Sequence, residues 1–249
     1  MVCSWHKGYR RCHSEQKDAD GNKVDNTIDS AEITNSTSVM MTTVAGNKAA
    51  IGYVSLGSLD ESQVKAVLID GAEATAENVK SGTYKVSRPF NIATKGEPTG
   101  VAKDFINFIL SKEGQAVVTD NKYIAVDDNA AAFTSDGSSG QIAVGGSSSV
   151  SPVMEKLIEA YKAVNPNASI DLQTSDSTSG MTGAMDGTFA IGMASRELKD
   201  EEAAQLTGTA IALDGIAVIV NPANTIDELS MDQIKSIYVG DITDWGDLA

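Results

Sequence analysis

The chain has 249 residues, 41% hydrophobic and 21% charged, with 19 Lys and Arg against 34 Asp and Glu, a net charge of -15. That length buries a full core and accommodates one large domain or two small ones, and the composition excludes a disordered chain. Charge of this sign repels nucleic acid, no run of about 18 apolar residues is present to span a bilayer, and two cysteines make no disulfide framework.

Residues 1–17 (MVCSWHKGYRRCHSEQK) differ in composition from everything after them. They hold both cysteines, both histidines and four basic residues against one acid, so they carry +3 and leave -18 on the other 232 residues. No amphipathic period runs through them, and they read as an atypical leader rather than an element of the core. Cys3, His6, Cys12 and His13 fit no familiar zinc-finger spacing, so no metal is expected. No basic stretch followed by an apolar one marks a signal peptide in this chain.

Residues 49–56 (AAIGYVSL) predict a buried strand. In 99–110, Val101, Ala102, Phe105, Ile106, Phe108 and Ile109 fall on helical spacing, with Pro98 near the start and Gly114 past the end, which predicts an amphipathic helix. Residues 127–140 (DDNAAAFTSDGSSG) are small, polar and glycine-rich, and read as a flexible linker. Beyond them the pattern predicts a strand at 141–144, a GGSSS turn, and a helix opened by Ser151 and Pro152 with Val153, Met154, Leu157, Ile158 and Tyr161 on one face. Further strands are expected at 169–172, 189–194 and 211–220, and 230–233 (SMDQ) match a capping box ahead of Ile234, Ile237 and Tyr238. Strands alternating with helices define an α/β protein with parallel sheets.

Three hydroxyl clusters stand where strands are expected to end: Ser147, Ser148 and Ser149; Ser177, Thr178 and Ser179; and Ser195, followed by Arg196. Ligands of open α/β sheets bind outside the carboxyl ends of the strands, where helix N-termini also point. Hydroxyls and backbone N–H groups there make a cradle of neutral donors for a small oxyanion, and Arg196 can add a charge-assisted contact. Serine and threonine are also ordinary helix caps and loop residues, and each cluster taken singly fits that reading. Asp214 interrupts the apolar run IALDGIAVIV; it is either a turn residue before Gly215 or an acceptor for a ligand proton, as in hydrogen phosphate. The sequence has no G-x-S-x-G elbow, P-loop or G-x-G-x-x-G, and its only histidines lie in the leader, so neither an enzyme nor a cofactor is expected. A phosphoester hydrolase using Ser148 or Ser177 lacks a histidine base outside the leader. Met181, Met185 and Met193 are most simply core fillers.

The runs VGGSSSVSPVMEKLIEAYKAVNP, TSDSTSGMTGAMDGTFAIGMASRELKDEE, IALDGIAVIVNPAN and LSMDQIKSIYVGDITDW resemble the N-terminal half of the phosphate-binding proteins that serve ABC phosphate importers. AGNKAAIGYVSLG and ENVKSGTYKVSRPFNIATKGEPTGVAKDFINFILSKEGQ resemble the C-terminal half of that family. The resemblance implies an α/β type II periplasmic-binding-protein fold, two α/β lobes with a ligand cleft, and the reversed order of the halves implies a circular permutation. It implies a lobe formed by residues 86–222, containing the linker 127–140, and a second, incomplete lobe formed by 18–85 and 223–249. It places Ser148 and Ser149 in a first phosphate loop, Ser177 or Thr178 in a second, and Ser195 with Arg196 in a third. Some family members carry an aspartate where Arg196 stands, which makes Asp214 the candidate proton acceptor here.

The family's second-lobe loop, an Arg followed by Ser-Gly-Thr, has no counterpart, and residues 1–17 stand in its place. Trp5-His6-Lys7, read one base later in its codons, gives Gly, then Thr or Ile, then Lys or Arg, which raises the hypothesis that the leader is a frame-shifted translation of that loop and its helix. The function implied is capture of inorganic phosphate by a monomer that hands it to ABC importer permease subunits, outside the cytoplasm in the periplasm or as a cell-surface lipoprotein. The alternatives are a binding-defective permuted remnant of the family, or a binder of another tetrahedral oxyanion such as sulfate.

Overall fold

A computed structural model describes residues 2–6, 15–17, 23–34 and 36–248. The chain divides into two compact units, the first made of Met1–Ser87 and Gly215–Ala249 and the second of Arg88–Asp214.

The first unit opens with strands β1 (Val2–His6), β2 (Glu15–Lys17), β3 (Lys23–Asp25) and β4 (Glu32–Thr34), then helix α1 (Thr37–Gly46), β5 (Ala50–Ser55), β6 (Lys65–Ala66), β7 (Leu68–Ile69) and α2 (Ala76–Ser81). The chain runs on through β8 (Ser87–Thr94), α3 (Gly100–Ile109), α4 (Lys112–Asp120), β9 (Gly140–Ser147), α5 (Ser151–Val164), β10 (Ala168–Ser175), α6 (Ser177–Asp186), β11 (Ile191–Ala194), α7 (Asp200–Ala203) and the long β12 (Thr207–Val220). β13 (Glu228–Leu229), α8 (Met231–Val239) and a short 3-10 helix at Trp245–Leu248 follow in the first unit.

In the first unit β5 is buried along its whole length, as its apolar sequence requires, and pairs antiparallel with residues 216–220 of β12. Gly52 lies under α1, where a Cβ would stand 2.8 Å from Met40 Sδ and 2.9 Å from Val44 Cγ2. α8 has the expected capping box: Ser230 Oγ accepts from Gln233 N–H at 3.1 Å and Gln233 Oε1 accepts from Ser230 N–H at 2.8 Å. One expectation is corrected here. Residues 2–6, read as part of a loose leader, form β1, which pairs parallel with both β4 and β5. Beside β5 their backbone groups find partners that a free tail would leave to water. Residues 7–14 lie outside the described residues, and the zinc reading of Cys3, His6, Cys12 and His13 rests on side chains outside the description as well.

The second unit is built on β9, flanked in parallel by β10 and β11, with β8 antiparallel to β11. The sheet is therefore mixed rather than purely parallel. The apolar faces of α3 and α5 meet in a core that includes Phe105, Phe108, Val153, Met154, Leu157 and Tyr161, as their helical spacing predicts. β9 runs beyond the expected residue 144, through Gly145 and Gly146 to Ser147, paired with Gln173, Thr174 and Ser175. These glycines belong to the strand because neighbours approach too closely for side chains. A Cβ on Gly145 would meet the Phe189 ring at 2.3 Å, and one on Gly146 would meet Met193 O at 2.3 Å.

Helix α6 rests on this glycine ledge. A Cβ on Gly180 would lie 2.7 Å from both the Gly146 Cα and the Met193 carbonyl oxygen, all main-chain atoms that cannot rotate away. Gly180→Ala is expected to push α6 off the sheet and to destabilise the second unit by about 1–3 kcal/mol, the usual cost of overpacking, in a chemical-denaturation curve. An unchanged midpoint would show that the contact is loose.

The linker reading is also corrected. Residues 127–139 form no helix or strand, but they are fastened down. Phe133 packs edge-on against Phe108, with ring centroids 5.2 Å apart, and lies 6.2 Å from Tyr161. Phe133 N–H donates to Glu113 Oε2 at 2.7 Å, Lys112 N–H to Ala131 O at 2.8 Å, and Asn165 Nδ2 to Ser138 O at 2.8 Å. Ser135 Oγ and Asp136 N–H both reach the carboxylate of Asp104. Composition suggested flexibility, whereas one aromatic ring and a set of side-chain acceptors hold the strap on α3, α4 and α5. Asp214 is likewise no turn residue, since β12 continues through it and Gly215.

Candidate functional site

In the second unit the carboxyl ends of β9, β10 and β11 come together, because β9 and β10 pair up to Ser147 and Ser175 and β11 ends one residue before Ser195. Ser147, Ser177 and Ser195 are 3%, 3% and 1% exposed, and their hydroxyls meet. Ser147 Oγ donates to Ser195 Oγ at 3.0 Å, Ser177 Oγ lies 3.5 Å from Ser195 Oγ, and Ser195 N–H donates to Ser177 Oγ at 3.2 Å. One serine from each of the three sequence clusters is thus brought to one point. Hydroxyls donate or accept by rotation, so this trio can turn toward an anion or toward a protonated oxygen.

The other expected residues surround the trio in different ways. Ser149 is buried and its N–H donates to Ser147 Oγ at 3.3 Å, while Ser148 N–H donates to Ser175 O at 2.9 Å. Thr178 and Ser179 are exposed in the first turn of α6 rather than ahead of it. Their N–H groups donate to Asp176 Oδ1 at 2.9 and 3.0 Å, and Ser179 Oγ donates to Asp176 Oδ2 at 3.0 Å. Asp176 is therefore the cap of α6; an aspartate directly before a Ser-Thr-Ser run is the signal that could have identified it.

Arg196 is turned toward a carboxylate of the protein itself. Its Nη1 donates to Glu202 Oε2 at 2.7 Å and its Nη2 to Glu202 Oε1 at 2.8 Å, with Nη2 also 3.5 Å from Thr178 Oγ1. Glu202 also accepts from Lys199 N–H at 2.8 Å. Burial pushes the Glu202 carboxyl up, but the hydrogen bonds from Arg196 and Lys199 N–H and the charges of Arg196 and Lys199 outweigh it, so it titrates below its ordinary range. Asn91 Nδ2 donates to Arg196 O at 2.9 Å, which ties the third loop to β8.

Asp214, fully buried, takes two hydrogen bonds on Oδ2, from Arg88 Nε and Nη2, each 2.9 Å long. Arg88 is 7% exposed and its guanidinium carbon lies 5.2 Å from the centre of the Phe90 ring. The sequence reading missed Arg88, Asp176 and Glu202. Among the described residues no group of three or more His, Cys, Asp or Glu side chains could hold a metal ion.

Hydroxyls gathered at the carboxyl ends of parallel strands are a set of neutral donors of the kind that suits a small anion. Residues 131–249 match the family described as a PBP superfamily domain. The phosphate-binding protein PstS 2 of Streptococcus agalactiae serotype V is 54% identical over 237 residues, covering 94% of this chain and 80% of that protein. PstS 2 of Streptococcus pneumoniae serotype 4 is 48% identical over 230 residues, covering 92% of this chain and 78% of its own. The crystal structure of a phosphate-binding protein of a phosphate ABC transporter from Streptococcus pneumoniae TIGR4 superposes with a TM-score of 0.79 at 44% identity, covering 100% of this chain and 98% of that one. The chain belongs to the PstS family of phosphate-binding proteins and has the α/β fold of periplasmic binding proteins.

Proposed function

We propose that this chain captures inorganic phosphate for an ABC importer and releases it unchanged to the permease subunits, working as a monomer outside the cytoplasm. The observation that carries this reading is the meeting of the Ser147, Ser177 and Ser195 hydroxyls, each nearly fully buried, at the ends of neighbouring strands. The relatives named as phosphate-binding proteins support it. The reversed order of the two halves is part of the proposal, supported by a first unit assembled from both ends of the chain.

A second reading, a family member that folds but binds poorly, is favoured by Asp176, whose carboxylate already occupies the N–H groups of Thr178 and Ser179. Calorimetric titration of phosphate, with sulfate as control, into protein stripped by unfolding and refolding decides between them. One-to-one phosphate binding is expected. Ser177→Ala is expected to weaken it about tenfold, the worth of one buried hydrogen bond, while Ser179→Ala leaves it nearly unchanged. No heat from cooperatively folded protein would overturn the proposal in favour of the second reading.

A further inference from the structure

We propose that Glu202 is a specificity-determining residue: by cancelling the charge of Arg196 it leaves the serine site to neutral donors, and so favours a singly charged, protonated phosphate over a fully ionised dianion such as sulfate. This inference rests on the reading of Ser147, Ser177 and Ser195 as the anion site.

Arg196 directly follows Ser195, and its Nη2 lies 3.5 Å from the hydroxyl of Thr178, the residue after Ser177. A guanidinium between the second and third loops would, if free, be the strongest donor available to a bound anion. Its attraction grows in proportion to the anion's charge, so it would reward a dianion most. The structure gives that guanidinium a carboxylate instead. Both terminal nitrogens face the two Glu202 oxygens at 2.7 and 2.8 Å, in the two-pronged geometry that is the most specific an arginine makes. The Arg196 side chain is 12% exposed and that of Glu202 3%, so water screens the pair little. The pair is fixed from both sides: Arg196 Nη1 also donates to Glu197 O at 2.9 Å, and Glu202 accepts from Lys199 N–H at 2.8 Å. Neutral serine hydroxyls respond to an anion's charge less steeply than a guanidinium does, and they can accept from the P–OH that sulfate lacks.

The test is calorimetric titration with phosphate and with sulfate, at a pH where phosphate is mainly monoanionic, of the unmodified chain and four variants. Glu202→Gln frees the Arg196 charge and is expected to raise sulfate affinity relative to phosphate about tenfold. Arg196→Gln leaves the Glu202 charge uncompensated and is expected to move the ratio the other way. The double variant Arg196→Gln/Glu202→Gln restores neutrality and is expected to return the ratio of the unmodified chain, which a merely structural role would not do. Equal changes for both anions in the single variants, or a double variant that keeps either single variant's ratio, overturn the proposal. Ser177→Ala separates the two levels of argument. If it leaves phosphate affinity unchanged, the serine site itself is wrong; if it weakens phosphate while Glu202→Gln leaves the ratio alone, only the role of Glu202 is lost.

Discussion

Replacing Asp104 by alanine is expected to lower the stability of the second unit by at least about 3 kcal/mol, because several buried donors would lose one shared acceptor. Asp104 is 1% exposed on α3. Its Oδ2 accepts from Ser135 Oγ at 2.7 Å, Tyr161 Oη at 2.7 Å and Asn165 Nδ2 at 3.2 Å, and its Oδ1 from Asp136 N–H at 3.0 Å. Two of these donors belong to the strap and two to α5 and its end, so the loss loosens the strap and takes the acceptor from the buried Tyr161 hydroxyl, while Asn165 Nδ2 keeps Ser138 O and Tyr161 Oη. Thermal denaturation would show a fall of roughly 6–12 °C, the shift that such a loss causes in a chain of this length. A fall of a degree or two would mean that water replaces the carboxylate cheaply.

The same residue carries a pH dependence. Burial raises the Asp104 carboxyl, but the hydrogen bonds from Ser135, Asp136, Tyr161 and Asn165 outweigh it and hold it below the ordinary range, while burial and the bond to Asp104 push the Tyr161 hydroxyl up. A carboxylate whose folded pKa is depressed contributes stability that is fully present above the unfolded value of about 3.9 and is lost as pH falls through the folded one. The gap in stability between the unmodified chain and Asp104→Ala is therefore expected to be constant near neutrality and to narrow only in strong acid.

Asp214→Ala is expected to cost about 3–5 kcal/mol, the price of leaving one member of a buried ion pair without the other. Arg88 and Asp214 are 126 residues apart in the chain and 7% and 0% exposed, so little water reaches the charge left behind. Replacing both, as Arg88→Met with Asp214→Leu, is expected to cost far less than the single change, since apolar groups of similar volume often replace a buried pair with no net loss. A double-mutant cycle by urea denaturation measures the coupling. The measurement also decides between two roles for Asp214: a small effect on stability with a large one on phosphate affinity would make it the ligand's proton acceptor rather than the partner of Arg88.

What was legible in the sequence was whatever repeats locally. The apolar spacing from Val101 to Ile109 marks α3, Pro152 marks the start of α5, and Ser230 with Gln233 marks α8. The three hydroxyl clusters were legible for the same reason, being short polar runs placed where apolar strands end. Partners distant along the chain were not. Nothing near Asp214 points to Arg88, and Arg196 looked available because Glu202 sits six residues on, past the start of the next helix. Asp104 did leave a trace: it falls between Val101 and Phe105 on the face of α3 that turns inward, where a carboxylate persists only if donors surround it. The strap was misread because composition reports flexibility only when no ring such as Phe133 is present to anchor it.

The ledge formed by Gly146, Gly180 and the main chain of Met193 ties the spacing of α6 from its sheet to backbone atoms, which have no alternative rotamers. Ser177 at the start of that helix and Ser147 and Ser195 at the ends of those strands inherit their positions from the ledge. Drift in the side chains of the surrounding core, from Val153 to Leu157 and Phe105, can change volumes there without changing the distances between the three hydroxyls. The accuracy of the three-hydroxyl cluster is set by the absence of side chains beneath it, which makes that accuracy insensitive to most mutations in the rest of the unit and acutely sensitive to a single added methyl on the ledge.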